Sequence, residues 1–363
     1  MVGEIDRAWL DRVVPHRPVR LQHRGGRLWV VNSAALRALG LPCAGQPAGV
    51  EMAEGAPTGR LYDCDHWLAA RLESRPPSLA AVSRRLAAYG VTGVTDATPA
   101  NDLQSWRHFA AEQARGHLLQ RVRLMGGEEL AQVSATPTLA PGEFKIHLLE
   151  SRLPPFAELC AQVAAAHETG RAVAIHCVTA VELAFALGAL AEVGARRGDR
   201  IEHAAVAPPP LAARIAELGL RVVSQPQLVA ERGDRYLAEV EAADRLWLWR
   251  LAGLRAAGIS LAGGSDAPFG SPDPWAAMRA AVARRTAAGL RLGPAEALSP
   301  EEALELFLHP LDAPGCGVRR VAVGAPADLV LLALPWARLR LDLDARHVRA
   351  VWRDGSPIHG GFG

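Results

Sequence analysis

The chain has 363 residues, half of them hydrophobic, and a formal net charge of +2 at pH 7. This composition predicts one large packed domain or two ordinary ones and excludes a disordered chain. The nearly balanced charge gives no indication of nucleic-acid or acidic-membrane partners, and no apolar run approaches the roughly 18 residues of a membrane-spanning helix.

The cysteine pattern and the N-terminus favour a cytoplasmic location. The five cysteines are scattered and none forms a C-x-x-C pair, which argues against a disulfide framework or a thiolate zinc site. The first residues, MVGEIDRAWLDR, are charged and contain no apolar segment typical of a signal peptide.

Residues 1–87 do not have the pattern of a simple strand–helix unit. VRLQHRGGRLWVVN (19–32) predicts a hairpin with its bend at Gly25-Gly26, and SAALRALGL (33–41) predicts a helix. We interpret this region as an insertion of hairpin and helix at the start of a larger barrel domain.

From about residue 88 to residue 310, short β-rich runs alternate with longer Ala/Leu/Arg-rich segments of helical spacing. The predicted strands cover 90–96, 121–126, 144–149, 172–177, 200–204, 221–226 and 259–268. Such alternation predicts parallel pairing, in a doubly wound sheet or in a (β/α)8 barrel. The barrel is favoured because polar residues follow several strands, although only seven strands can be counted and the first of eight is missing.

Residues 311–363 predict part of a small β-sandwich. PADLVLL (326–332), RLRLDL (338–343) and HVRAVWRDGSPI (347–358) each resemble β-runs, with a turn at Asp354-Gly355. Strands that would complete this sandwich are not found in the chain, so a neighbouring copy could supply them and a homo-oligomer is left open.

Four polar residues lie at predicted strand ends: Lys145, His176, His203 and Asp266. In a barrel, such residues converge at the C-terminal face. Imidazole and carboxylate are ordinary zinc ligands. Each residue also has an ordinary structural interpretation, the histidines as core residues and Asp266 as a helix N-cap, and the pattern alone leaves these open.

Lys145 is the only lysine among 40 basic residues. A neutral lysine amine reacts with CO2 to form a carbamate, a carboxylate on a long stem that can bind divalent cations. A guanidinium cannot react in this way. The alternatives are that the lysine survived by chance on a solvated face, or that it forms a Schiff base with a carbonyl substrate. Its flanking residues Phe144 and Ile146 alternate with it, so we expect Lys145 to point into the barrel.

Several segments resemble the amidohydrolase superfamily, and within it the amidohydrolase family 3 group. The resemblance covers nearly the whole chain and is carried by GVTGVTDAT, AVAIHC, GDRIEHA, VVSQPQLV, GGSDAPFGSPDPW and VGAPADLVLL. It implies a TIM-type (β/α)8 barrel with a small β-sandwich and one or two divalent metals, usually zinc. It further implies that Lys145 is a carboxylated bridging ligand, that His176 and His203 are metal ligands, and that Asp266 is both a ligand and the general base.

One family feature is absent: no His-x-His pair, which the family carries on its first barrel strand, occurs in the sequence. Two explanations are left open, a chain start set too late and a natural truncation. An open seven-stranded barrel is expected to leave an unpaired edge and an exposed apolar wall.

We expect a metal-dependent hydrolase of C–N bonds other than peptide bonds, acting on a small linear or cyclic amide. The alternatives are a non-catalytic remnant and, less favoured, a Schiff-base lyase that uses Lys145. The expected partner is a small-molecule substrate, with no nucleic acid and no membrane. Its predicted contacts are Gln225, Arg232, Tyr236 and Trp275.

Overall fold

The computed structural model describes residues 5–23, 26–72 and 76–361, except the side chains of residues 66 and 69. The chain divides into two compact units, Met1–Pro77 and Ser78–Gly363. The three-part division inferred from the sequence, at 1–87, 88–310 and 311–363, stays a prediction.

The first unit is a small antiparallel sheet with helices. Its elements are α1 (Arg7–Val13), β1 (Arg20–Gln22), β2 (Leu28–Val31), α2 (Ser33–Ala38), β3 (Val50–Ala53), β4 (Ala56–Tyr62) and α3 (Asp65–Arg71). The strands pair in the order β1-β2-β4-β3. The predicted hairpin is confirmed as β1–β2, although residue 25 of its bend lies outside the described residues. The predicted helix is confirmed as α2, whose N-cap residue Asn32 accepts a hydrogen bond from the amide of Ala35.

The second unit is built on a parallel sheet of seven strands. These are β5 (Gly93–Asp96), β6 (Arg121–Gly126), β7 (Leu139–His147), β8 (Val173–Cys177), β9 (Arg200–His203), β10 (Arg221–Ser224) and β11 (Ser260–Gly263). They pair in chain order from β5 to β11, and every pair is parallel. The seven strands expected from the sequence are therefore confirmed.

Helices connect most of these strands, as expected for right-handed crossovers, and further helices precede β5 and follow β11. They are α4 (Ala80–Ala88), α5 (Leu103–Ala114), α6 (Phe156–Glu168), α7 (Ala180–Val193), α8 (Pro209–Glu217), α9 (Gln227–Glu239), α10 (Ala242–Arg245), α11 (Leu251–Ala256), α12 (Pro274–Ala283) and α13 (Pro300–Glu305), followed near the C-terminus by α14 (Trp336–Leu339). Short 3-10 turns occupy Glu128–Gln132, Glu150–Arg152, Pro294–Glu296 and Ala345–His347. None of the helices in the described part of the chain has the length and apolar character needed to cross a membrane.

The main hydrophobic core lies between the outer face of this sheet and its helices. Ile146, Ile175 and Ile201 project from β7, β8 and β9 into this core and are almost fully buried. Because strand side chains alternate between faces, Lys145 on β7 points to the opposite, inner face, as the sequence predicted. Helix packing on the outer face thus leaves the inner face for polar side chains.

In the described residues, the two edge strands β5 and β11 are not paired with each other. The segment 306–311 covers part of this open side. The amide of Gly263 on β11 donates to the carbonyl of Leu306 at 2.8 Å, and Leu311 packs against Gly93 on β5. A Cβ atom at position 263 would lie 2.6 Å from the ring of Phe307, so glycine is needed for this packing. This segment therefore shields part of the side that the sequence led us to expect exposed.

A three-stranded antiparallel sheet ends the chain, with β12 (Leu329–Leu332), β13 (Val348–Arg353) and β14 (Ser356–His359) in that order. Asp354 and Gly355 have φ values of 50° and 76°, which confirms the predicted tight turn.

The strand predicted at 338–343 is wrong. Residues 336–339 instead form helix α14, in which the indole of Trp336 donates to Glu301 and Leu339 is fully buried. Tertiary packing of these two side chains outweighs the alternating pattern of the segment.

Candidate metal centre

The C-terminal ends of β7, β8 and β9 bring three imidazoles together. The ring centroids of His147 and His176 are 4.4 Å apart, and so are those of His176 and His203. Both pairs are nearly perpendicular, at 75° and 73°. The two predicted histidines therefore meet, together with His147, which strand alternation places on the inner face.

A strained turn directs His203 toward the site. Glu202 pairs in register with His176 and shares its face of the sheet, so regular alternation would send the next residue outward. His203 instead has φ of 73°, and the amide of Ala204 donates to the carbonyl of Glu202 at 3.0 Å. This is a γ-turn centred on His203, a rare and strained conformation that concentrates at functional sites. The turn lets consecutive residues face the same cavity.

Gln225, which follows β10, orients the imidazole of His203. Its Oε1 lies 2.7 Å from His203 Nδ1, and its Nε2 donates to the carbonyl of Val223 at 3.1 Å. Because Nε2 is held by a carbonyl, Oε1 must accept from Nδ1–H of His203. The Nε2 atom of His203 then keeps its lone pair, which is the form that binds a metal. The sequence predicted Gln225 as a substrate contact, and the structure shows it bonded to the Nδ1 atom of His203.

Burial favours the neutral forms of both imidazoles and of the amine. Burial lowers the pKa of His176, and its effect is reinforced by His203 and His147. The pKa of His203 falls to about 4, through burial and then the nearby charge of Lys145. Lys145 is 8% exposed, and burial lowers the pKa of its amine against the attraction of Glu202. Neutral nitrogen atoms are the forms that coordinate cations or react with CO2.

A buried chain of charges lies on the inner face near Lys145. Arg123 is 3.3 Å from Glu143, Glu143 is 3.7 Å from Arg200, and Arg200 is 2.7 Å from Glu202. Burial opposes ionisation of Glu202, but Arg200 and Lys145 hold its pKa below the usual value. Sequence reasoning missed this chain, although charged residues in a short buried strand are the signal that could have found it.

Asp266 lies in the loop that follows β11, with φ of 51°. Its carbonyl accepts hydrogen bonds from the amides of Phe269 at 2.8 Å and Gly270 at 3.1 Å, which closes the loop into a compact turn. Two side chains of α9 hold this loop, since Gln227 donates to the carbonyl of Ser265 and Arg232 to that of Phe269.

The carboxyl group of Asp266 has an unusually high pKa. The residue reaches solvent at the rim of the site. The protein mass around the carboxyl group raises its pKa to about 6, against the attraction of Lys145 and Arg232. Such a group changes its protonation state close to neutral pH.

The remaining predicted substrate contacts lie in two different places. Arg232 and Tyr236 are one turn apart on α9, on the helix that holds the Asp266 loop. Trp275 is 5% exposed within the hydrophobic core, and its indole donates to the carbonyl of Tyr89 at 3.0 Å. This gives Trp275 a packing role, and its contact with substrate stays a prediction.

The chemistry of these donors fits a divalent cation, but the ligand set is not fully assembled. Two imidazoles, one with a fixed tautomer, a carboxylate and the amine of Lys145 lie at this end of the barrel, and imidazole and carboxylate are ligand types that zinc prefers. No three His, Cys, Asp or Glu side chains in the described ranges are already placed to hold one ion. The structure thus brings the pair His176 and His203 together and leaves Asp266 nearby on its loop.

Comparisons with known proteins agree with this architecture. The profile of the amidohydrolase family matches residues 4–359. An uncharacterized metal-dependent hydrolase from Pyrococcus horikoshii is 21% identical with a TM-score of 0.68, covering 84% of this chain and 68% of its own. The corresponding hydrolase from Pyrococcus furiosus is 22% identical with a TM-score of 0.65, covering 83% and 68%. No curated protein gives a significant match.

A zinc-containing structure of a mutant atrazine chlorohydrolase from Arthrobacter aurescens is also similar. It is 14% identical with a TM-score of 0.54, and the match covers 82% of this chain and 75% of the other. At such identities the similarity concerns the fold. The fold predicted from the sequence, a TIM-type (β/α)8 barrel without its first strand and with part of a small β-sandwich, is confirmed.

Proposed function

Because this chain belongs to the amidohydrolase family, we propose that it is a metal-dependent hydrolase of C–N bonds other than peptide bonds. Its substrate is a small linear or cyclic amide. The observation that carries this proposal is the pair of neutral imidazoles, His176 and His203, with ring centroids 4.4 Å apart at the C-terminal end of the barrel. Active sites of such barrels lie at this end.

We assign the site one divalent cation, with zinc favoured by its nitrogen and carboxylate donors. The residues that would hold it are His203 through Nε2, His176 and Asp266, with carboxylated Lys145 as a further ligand. When bound, the cation acidifies a water molecule and polarises the carbonyl group under attack.

Asp266 serves as the general base. With a pKa of about 6, its carboxylate is ionised at neutral pH and still basic enough to accept the proton of the attacking water. It returns that proton to the leaving nitrogen, which departs as a neutral amine. The Asp266 loop is held by Gln227 and Arg232, so these side chains fix the position of the base.

Lys145 supplies the carbamate. Its neutral amine attacks CO2, a C–N bond forms, and one proton leaves, so that the product is an anionic carbamate on the lysine stem. The lowered pKa of the amine raises the fraction that can react. The same neutral amine could form a Schiff base, and treatment with borohydride and a carbonyl substrate distinguishes the two.

The test is hydrolysis by the full chain loaded with zinc in bicarbonate buffer. The substrates are a panel of N-acylated amines, lactams and imidazolones, with released amine or ring opening as the readout. Asp266→Asn should lower the rate by about 100-fold or more, since it removes the general base. Asp244→Asn, a carboxylate on α10, is the matched control and should keep the wild-type rate.

Two results would overturn the proposal. One is the absence of turnover across the panel together with the absence of stoichiometric metal, which would favour the non-catalytic remnant. The other is a wild-type rate in Asp266→Asn. Covalent trapping of Lys145 by borohydride would instead support the lyase.

A further inference from the structure

Arg232 is a half-buried cation beside the Asp266 loop, and among the described residues it has no carboxylate within ion-pair distance. One donor of its guanidinium is used by the carbonyl of Phe269. A guanidinium has five donors, so several are available for another acceptor. Arg235, on the same helix, is 66% exposed and pairs with Glu239 at 2.6 Å. Arg235 is thus neutralised by Glu239, whereas Arg232, which contacts the Asp266 loop, keeps donors available.

Tyr236 lies one helical turn after Arg232 and extends this polar patch. Burial raises the pKa of its phenol, and the charge and hydrogen bonding of Arg232 partly offset that effect. Side chains four residues apart on a helix are neighbours, so the guanidinium and the phenol present their donors together. The charge of Arg232 lowers the pKa of Asp266, and the charge of Asp266 raises the pKa of Tyr236.

An apolar cluster adjoins this patch on the same face of the barrel. The ring centroids of Tyr236 and Trp249 are 6.2 Å apart, and the amide of Trp249 donates to the carbonyl of Ala205 at 2.8 Å. Ala205 and Val206, two and three residues after His203, belong to the cluster, as do Val229 and Trp249. These residues are buried, so packing against the cluster fixes the ring of Tyr236 beside Arg232.

We propose that Arg232 and Tyr236 bind a carboxylate group of the substrate. The substrate class is then an N-acylated amino acid or a cyclic amide that carries a carboxylate. Planar guanidinium groups bind carboxylates through paired, charge-assisted hydrogen bonds, which neutral substrates cannot form. This inference rests on the proposed hydrolase function and adds that the substrate carries a carboxylate group besides the amide.

Arg232 also holds the Asp266 loop, so the experiment must separate substrate binding from positioning. The zinc-loaded enzyme is assayed with N-acetylphenylalanine and with N-acetylphenethylamine, which lacks only the carboxylate. Arg232→Met should lower kcat/KM for the anionic substrate by about 100-fold more than for the neutral substrate, mostly through KM, because a loss of loop positioning affects both substrates equally. Arg232→Lys keeps the charge and should recover part of the loss. Arg235→Met is the matched control and should match the wild type.

An equal loss on both substrates in Arg232→Met would show a positioning role alone and overturn the inference. So would a wild-type enzyme that hydrolyses the neutral substrate as efficiently as the anionic one, although the proposed function would then stand.

Binding to the metal-free protein gives a readout that needs no turnover. Calorimetry with N-acetylphenylalanine should show binding that Arg232→Met weakens by about tenfold or more, and Tyr236→Phe by less. Equal affinities of wild type and Arg232→Met would overturn the inference. If binding behaves as expected but no amide is hydrolysed, the proposed function fails while the carboxylate subsite stands.

Discussion

Replacement of Gln225 by leucine tests whether the structure prepares His203 for a metal. Gln225 is 3% exposed and makes two hydrogen bonds, to His203 at 2.7 Å and to the carbonyl of Val223 at 3.1 Å. Leucine has nearly the same volume but leaves the buried Nδ1–H of His203 without an acceptor. An unsatisfied buried donor costs about 1–3 kcal/mol, so the free energy of unfolding should fall by about that amount.

The same substitution should weaken zinc binding, because His203 loses the partner that selects its tautomer. Loss of such a supporting partner typically lowers metal affinity by about 10- to 100-fold. Urea denaturation measures the first effect, and zinc titration against a chromophoric chelator measures the second.

The matched control is Gln120→Leu. Gln120 is fully buried and bonds to Ser83 and to the carbonyl of Val91, which precedes β5. The Gln120→Leu variant should lose about as much stability as Gln225→Leu and should keep the wild-type affinity for zinc. Wild-type zinc affinity in Gln225→Leu would refute the reasoning, and so would an equal loss of affinity in the control.

Two further predictions concern stability. The folded-state pKa of His203, about 4, lies below its ordinary value of 6.5, so between these values the unfolded chain binds a proton that the folded chain does not. As the pH falls from 6.5 to 4, the free energy of unfolding of the metal-free protein should therefore decrease by up to about 3 kcal/mol. Urea denaturation of His203→Gln should show a smaller decrease over the same range. Identical pH profiles of wild type and variant would contradict this prediction. Gly263→Ala should destabilise by about 1–3 kcal/mol, because its Cβ would lie 2.6 Å from the Phe307 ring. In the control, Gly127→Ala, the nearest atom is 3.9 Å away, and an equal change in the melting temperature of both variants would count against the packing described for the open edge.

The strand pattern of the barrel could be predicted from sequence because short β-rich runs alternate with longer segments of helical spacing. The segment RVRLMG matches β6 residue for residue, and the other six strands overlap their predicted ranges. The segment RLRLDL could not be assigned from its pattern, because the burial of Leu339 and the packing of Trp336 against the main core are not specified by alternation. The position of segment 306–311 on the open side of the sheet could not be predicted either, because it depends on contacts between residues far apart in sequence.

The site was predicted in part. Spacing indicated that His176 and His203 would meet, and they do. The γ-turn at His203 has no local signature, because neither glycine nor asparagine marks the positive φ angle. The role of Gln225 depends on a side-chain hydrogen bond between neighbouring strand ends, which periodicity cannot reveal. The buried ion pair between Arg200 and Glu202 breaks the expectation of an apolar strand, and only the fold shows its partners.

The number of zinc ions bound per chain tests the central claim most directly. Protein dialysed with zinc and bicarbonate, then freed of loose metal, should retain about one ion per chain. The variants His176→Ala, His203→Ala and Lys145→Arg should each lose most of it, while His359→Ala, changed in the C-terminal sheet, should retain it. Full zinc content in His176→Ala and His203→Ala would contradict the account.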